Sequence, residues 1–248
     1  MGQMLIEAVI ADPELDLAAA FDVPGSPIFG RELAGVEATA DVAAAVSVSD
    51  VVIDFTRPEG TLSHLRACTA ARKAMVIGTT GFSQSDRGVI AEASKVIPIV
   101  LSPNFAVGVN AAFKLAATAA QILGDAYDVE IIEAHHRHKL DAPSGTALKL
   151  GEVVAKALNR RLSEVARHGR QGDTGERPQK QIGFHAIRGG DIVGEHTVLF
   201  AGLGERVEVT VRSQSRMTYA TGALRAAKFL QGRPPGLYDM ADVLGLGV

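Results

Sequence analysis

The stretch SDVVIDFTRPEGTLSHLRAC, residues 49–68, changes period part-way along its length. Val51, Val52 and Ile53 form a continuous apolar strand, and the helical stretch after it begins at Thr56, with Glu59 three residues on as a capping box and Pro58 inside the first turn. A strand feeding directly into a helix is the repeating half of a parallel sheet. KAMVIGTTG repeats the plan with a Gly-Thr-Thr-Gly turn, Ser83 is placed to cap the next helix, and VIPIVLSPNF supplies another buried strand. NAAFKLAATAAQILG is then a long helix closed by Gly124. This alternation predicts an α/β fold with helices on both faces of a parallel sheet.

Upstream, MGQMLIEAVIADPELDLAAAFD places Leu5, Ile6, Val9 and Ile10 on one helical face, with Gln3 and Glu7 off it. A strand-like LAAAF follows and ends at Asp22. Helix, strand and terminal acid are the back half of a dinucleotide-binding unit. Gly2 lies 20 positions before Asp22, the spacing between the last glycine of a phosphate loop and the acid that holds a ribose. An acid ending a strand is also an ordinary turn or cap residue.

Beyond residue 125 the pattern becomes α+β. DVEIIEAHHRHK is strand-like, APSGTALKLGEVVAKAL is helical, and residues 168–181 are a polar, Gly-rich loop. HTVLFA and RVEVTVRS flank Gly-Leu-Gly-Glu as an antiparallel hairpin, which implies a second domain. TYATGALRAAKFLQG then gives a late helix before PPGLYDMADVL ends the chain.

With 248 residues, 47% of them hydrophobic, and a mean hydropathy of +0.15, the chain has ample material for a buried core. A net charge of −3 and a pI near 6.2 give no general attraction to nucleic acid or anionic membranes. Apolar runs such as VIPIVL are too short to span a bilayer, and the N-terminus lacks a signal-peptide layout. The single cysteine, Cys68, makes no internal disulfide, which fits a reducing cytoplasm.

Chemistry concentrates in EAHHRHKLDAPSGTA, residues 133–147. His135, His136, Arg137, His138 and Lys139 are five consecutive side chains able to carry positive charge. Just after them, Pro143-Ser144-Gly145-Thr146 starts a helix, whose free N–H groups and dipole favour an anion. Two adjacent anion sites suit a small dianion, and Lys139 or a histidine can also pass a proton. A solvated cationic face and a metal site on His136 and His138 are the competing readings; the second lacks a third ligand at zinc spacing. The turns Gly78-Thr79-Thr80 and Ser102-Pro103-Asn104-Phe105 sit at strand ends, where open parallel sheets collect ligands. Residues 170–177, with Arg170 and Arg177, form a loop able to close over an anion or to serve as a surface connection.

This block, with VIDFTRPEGT, VIGTTGF, SPNFAVGVN, GDIVGEHTV and SRMTYATGAL, closely resembles the dihydrodipicolinate reductase family of bacterial lysine and diaminopimelate synthesis, over nearly the whole chain. The resemblance implies a Rossmann-like dinucleotide-binding domain built from residues 1–106 and 216–248. A substrate and tetramerisation domain with an open mixed sheet, residues 107–215, is inserted between them. By the same resemblance His135 takes the place of the acid/base histidine and Lys139 that of the proton donor. His136, Ser144, Gly145 and Thr146 fall at the substrate-carboxylate positions. Gly78, Thr79, Thr80, Ser102, Pro103, Asn104 and Phe105 match the nicotinamide turns, and Asp22 the acid on the adenosine ribose.

The resemblance also implies NADH or NADPH as cofactor, a cyclic dicarboxylate substrate, a cytoplasmic homotetramer, and no metal, nucleic-acid or membrane partner. Asp22 followed by Val23 favours NADH, although Arg31 offers a phosphate partner. Met1 and Gly2 match only the end of the family's Gly-rich loop, so the first strand and most of that loop are absent, and weak pyrophosphate binding and reduced stability are expected. The alternatives are a protein competent in its substrate domain but impaired for cofactor, a non-catalytic dinucleotide-binding regulator, and a dehydrogenase acting on a sugar or semialdehyde.

Overall fold

Parallel strand pairing dominates the first part of the computed structural model, which describes residues 1–29 and 31–246. In chain order come α1 (Gly2–Ala11), β1 (Ala20–Phe21), β2 (Glu32–Leu33), β3 (Val36–Thr39), α2 (Val42–Ser47), β4 (Val51–Asp54), α3 (Pro58–Ala71), β5 (Ala74–Ile77), α4 (Gln84–Ala93) and β6 (Pro98–Leu101). The expected strand LAAAF pairs only through Ala20 and Phe21, against Ala38 and Thr39 of β3. Its alanines have little preference for a pleated surface.

The helix after β4 also starts differently. Its N-cap is Arg57, with no side-chain cap bond, because the Thr56 hydroxyl turns back to Asp54 at 2.8 Å. A buried carboxylate outbids an exposed capping position for that donor. At α4 the expected cap is present as a full box between Ser83 and Asp86.

The middle of the chain supplies α5 (Val107–Leu123), β7 (Asp128–His135), α6 (Gly145–Ala157), α7 (Leu162–Val165), β8 (Ala166–His168), β9 (Ile182–Arg188), β10 (Gly194–Ala201) and β11 (Arg206–Ser213). These strands form one mixed sheet in the order β11-β10-β7-β9-β8, with β7 antiparallel to β10 and parallel to β9. Val129 and Ile131 of β7, Ile182 and Phe184 of β9, and Val198 and Phe200 of β10 pack against Ala116 and Ala120 of α5 and Leu150 and Val154 of α6. By length and composition the helical stretch Val107–Ala126 is apolar enough to cross a membrane, contrary to the expectation from apolar runs. Its alanine face is buried on this sheet.

The chain then returns through α8 (Met217–Leu230), β12 (Gly236–Tyr238) and α9 (Met240–Leu244). Strand β12 completes a parallel sheet of order β12-β6-β5-β4, separate from the sheet β1-β3-β2. All of β5 is buried. Met75 and Ile77 enter a cluster with Leu65, Ile90 and Ile99, while Ala74 and Val76 enter one with Leu5, Phe105 and Leu224. Alternate residues facing two cores are the mark of a sheet covered on both sides. Gly222 lets α8 seat against the turn after β6, since a Cβ there would lie 1.8 Å from the Phe105 carbonyl oxygen. Two compact units result: Met1–Val107 with Arg216–Val248, and Gly108–Ser215.

Candidate active site

Strand alternation aims Glu133 and His135, like Val129 and Ile131, at the helix-covered face of the second unit's sheet. Glu133 is 1% exposed. Its carboxylate accepts a bidentate fork from Arg188 (2.8 and 2.9 Å), the Ser144 backbone N–H (3.1 Å) and His135 Nδ1 (2.5 Å). Arg188 arrives there because β9 pairs His135 with Arg188 in register. Burial pushes the Glu133 carboxyl up, but Arg188, His135 and the Ser144 N–H outweigh it and hold the group below the ordinary carboxylate range. Burial lowers His135 against the pull of Glu133.

Ser144 caps α6 by accepting the Ala147 N–H, and its hydroxyl also meets His196 Nε2 at 3.0 Å. The His196 ring stands edge-on to His135, with centroids 5.1 Å apart, and burial, followed by the neighbouring His135, takes it down to about 4. Lys139 is ion-paired with Asp141 at 2.8 Å, and the Asp141 carbonyl accepts from Arg188. The carboxyl of Asp141 is lowered chiefly by its bond to Lys139.

Strand β7 ends at His135, so alternation does not govern the residues after it. His136 and His138 lie in the following turn with ring centroids 6.3 Å apart, and the Lys139 N–H bonds the His136 carbonyl. Among the described residues no group of three or more His, Cys, Asp or Glu is arranged to hold a metal ion. The arrangement therefore collects a cation, an imidazole and a helix start: groups that bind carboxylates and move a proton.

In the first unit the strand-end turns are tied by a second buried carboxylate. Asp54 Oδ1 accepts the Thr56 N–H and the hydroxyls of Thr56, Thr61 and Thr79, while Oδ2 meets His64 Nδ1 at 2.5 Å. The Thr79 hydroxyl is thus turned inward, whereas Thr80 is exposed. Gly78 sits under the Phe55 ring, only 2.3 Å from where a Cβ would stand. Ser102 donates to the Asn104 carbonyl, and Asn104 Oδ1 accepts the Ala106 N–H. Pro103 is exposed, but Phe105 is buried in the core. Ser102, Asn104 and Phe105 therefore shape their turn with their side chains. Asp22 presents an exposed carboxylate at the end of β1, steadied by Ser26 Oγ at 2.7 Å, and α1 opens at Met1 without a side-chain cap. An exposed acid and a helix start without side-chain partners fit a ribose and a phosphate.

The loop of residues 170–177 does not offer its arginines to an anion. Arg170 forks onto Glu130, and Arg177 bonds Glu130 and Asp128, which hold the loop on the opposite face of the sheet. Sequence reasoning missed Glu133, although it lies two residues before His135 on the same strand face. Arg188, His196 and Asp54 were also missed. The first two reach the site only through strand pairing.

Residues 1–105 match the family described as "Dihydrodipicolinate reductase, N-terminus" and residues 108–244 its C-terminus. The chain belongs to the dihydrodipicolinate reductase family. Among its relatives, the 4-hydroxy-tetrahydrodipicolinate reductase of Dechloromonas aromatica is 61% identical, over 99% of this chain and 94% of that one. The corresponding enzyme of Aromatoleum aromaticum is 60% identical, over 99% and 92%. A dipicolinate-bound dihydrodipicolinate reductase from Paenisporosarcina sp. TG-14 superposes with a TM-score of 0.79 at 25% identity, covering 97% of this chain and 94% of that one. Membership of a pyridine-nucleotide-dependent reductase family over the whole chain disfavours the regulator and the cofactor-impaired readings.

Proposed function

We propose that this chain reduces 4-hydroxy-tetrahydrodipicolinate to tetrahydrodipicolinate, with loss of water, in lysine and diaminopimelate biosynthesis. The observation that carries the reading is the convergence of Lys139, His135 and the start of α6 at the end of β7. The substrate is a cyclic dicarboxylate that gives a conjugated imine on losing water, and a nicotinamide, when bound, would supply the hydride that reduces it.

The roles of the chain's own residues follow from chemistry. The backbone N–H groups of Gly145 and Thr146, behind the Ser144 cap, receive one carboxylate, and His136 receives the other. Fixing both ends orients the ring and converts binding energy into alignment. Lys139 Nζ delivers the proton that quenches the electron density displaced by hydride arrival. Met1, Asp22, Gly78, Thr79, Thr80, Ser102, Pro103, Asn104 and Phe105 form the cofactor face, through backbone groups where their side chains are turned inward. Asp22 beside Val23 favours NADH over NADPH, since a carboxylate repels a 2′-phosphate. We further assign a cytoplasmic homotetramer, assembled through the sheet of the second unit.

The test is nicotinamide oxidation with substrate generated in situ. Lys139→Ala is expected to lower kcat by about 10²–10⁴-fold, while NADH and pyridine-2,6-dicarboxylate still bind. Unchanged turnover in that variant overturns the assignment.

A further inference from the structure

We propose that Glu133 is a positioning residue that fixes His135 as the imidazole protonated on Nδ1, leaving Nε2 as a lone-pair acceptor with no proton of its own. An ionised carboxylate offers about four lone-pair sites and no proton. Oε1 is taken by Arg188 Nη2 and the Ser144 N–H, and Oε2 by Arg188 Nη1 and His135 Nδ1. With the guanidinium forked across both oxygens, the group is held as a carboxylate, so the hydrogen between Oε2 and Nδ1 belongs to the ring.

The groups facing His135 from the surrounding elements act in opposed directions: Glu133 favours a second proton on the ring, and burial, Lys139 and Arg188 outweigh it. Glu133 lies on its own strand, Arg188 comes from β9, His196 from β10, and Lys139 with Asp141 from the turn. Lys139, Arg188 and burial all oppose a second proton on the ring. Gly194 leaves room for the other edge of the imidazole: a Cβ there would lie 3.1 Å from His135 Nε2. In this form Nε2 presents a lone pair, able to take a hydrogen bond or a proton, and carries no proton of its own. Glu133 also ties this ring to the start of α6 through the Ser144 N–H, so one buried group aligns the histidine with the helix end.

The tautomer stands independently of the substrate reading; only its effect on turnover rests on the proposed function. The decisive measurement is ¹⁵N-detected NMR of the histidine-labelled full chain near neutral pH, with the His135 signals assigned by loss in His135→Asn. We expect a protonated Nδ1 and an unprotonated Nε2. In Glu133→Gln the side-chain amide donates to Nδ1, so the ring is expected to switch to the Nε2–H form. Its kcat/KM is expected to fall by about 10–100-fold, with affinity for pyridine-2,6-dicarboxylate little changed and partial recovery in Glu133→Asp. An Nε2–H ring in the unmodified protein overturns the proposal even if the variant does not fold, as does full activity in Glu133→Gln. If the unmodified protein shows no turnover of the substrate yet has the Nδ1–H ring, the functional reading fails and the tautomer assignment stands.

Discussion

Each unit buries one carboxylate at the carboxyl end of a strand, and each of these carboxylates meets a histidine Nδ1 at 2.5 Å, but the two are stabilised in opposite ways. Asp54 sits in a cage of neutral donors, the Thr56 N–H and three threonine hydroxyls, beside His64. Glu133 is held by a full cation, Arg188, together with the Ser144 N–H and His135. Burial raises both carboxyls and their partners more than compensate, so both lie below their ordinary values. The cage divides the stabilisation among many small contributions, most of them from the next ten residues of the chain. The ion pair concentrates it in one residue from a paired strand. The first arrangement clasps turns; the second keeps a charge, and an imidazole of defined protonation, beside a binding face.

The comparison predicts unequal fragility, most severe at Arg188. Arg188→Met leaves Glu133 buried with no cation, a change expected to cost about 3–5 kcal/mol in denaturant unfolding. A loss below about 1 kcal/mol would show that the ion pair is no more concentrated than the cage and would break the contrast.

Acid sharpens the same contrast. Because Glu133 and Asp54 have folded values below their ordinary 4.5 and 3.8, their contributions are fully present above those values and are lost as pH falls through the depressed folded values. Without Arg188, burial acts on Glu133 with the largest of its lowering partners gone, so the folded value rises. The stability gap between the unmodified chain and Arg188→Met is therefore expected to narrow steadily as pH falls from the variant's raised folded value through the depressed value of the unmodified chain, as thermal unfolding across pH 3–7 would record. A gap that stays constant over that range would mean that Glu133 is not the group through which Arg188 acts.

How legible these regions were in the sequence follows from the same difference. The strand–helix alternation around VVIDF and the cap at Ser83 depend on local periodicity and spacing, and they could be read directly. So could the helix start at Ser144 beside the cationic run. The capping box at Thr56 misled because the competing acceptor, Asp54, becomes buried only when β4, α3 and β5 assemble. For residues 170–177 the sequence left two readings open, and the surface connection is the one found: Glu130 and Asp128, which engage the loop's arginines, lie 40 or more residues away in sequence on the outward side of β7. Arg188 and His196 had no local signal at all, since register with β7 alone brings them to His135.

The smallest expected effect tests the cage itself. Thr61 is fully buried, so it touches no ligand, and its hydroxyl lies 2.8 Å from both Asp54 Oδ1 and Thr79 Oγ1. Thr61→Val keeps the shape and removes that one hydroxyl. Asp54 then retains the Thr56 N–H, the Thr56 and Thr79 hydroxyls and His64, so the carboxylate is never left alone. The loss in denaturant unfolding is expected to be about 1 kcal/mol, several-fold less than at Arg188. If the stabilisation is truly divided, Thr61→Val and Thr56→Val should also cost similar amounts when measured singly. A loss of 3 kcal/mol or more for Thr61→Val alone would mean that the cage hangs on one hydroxyl, and the two carboxylates would then differ in chemistry but not in fragility.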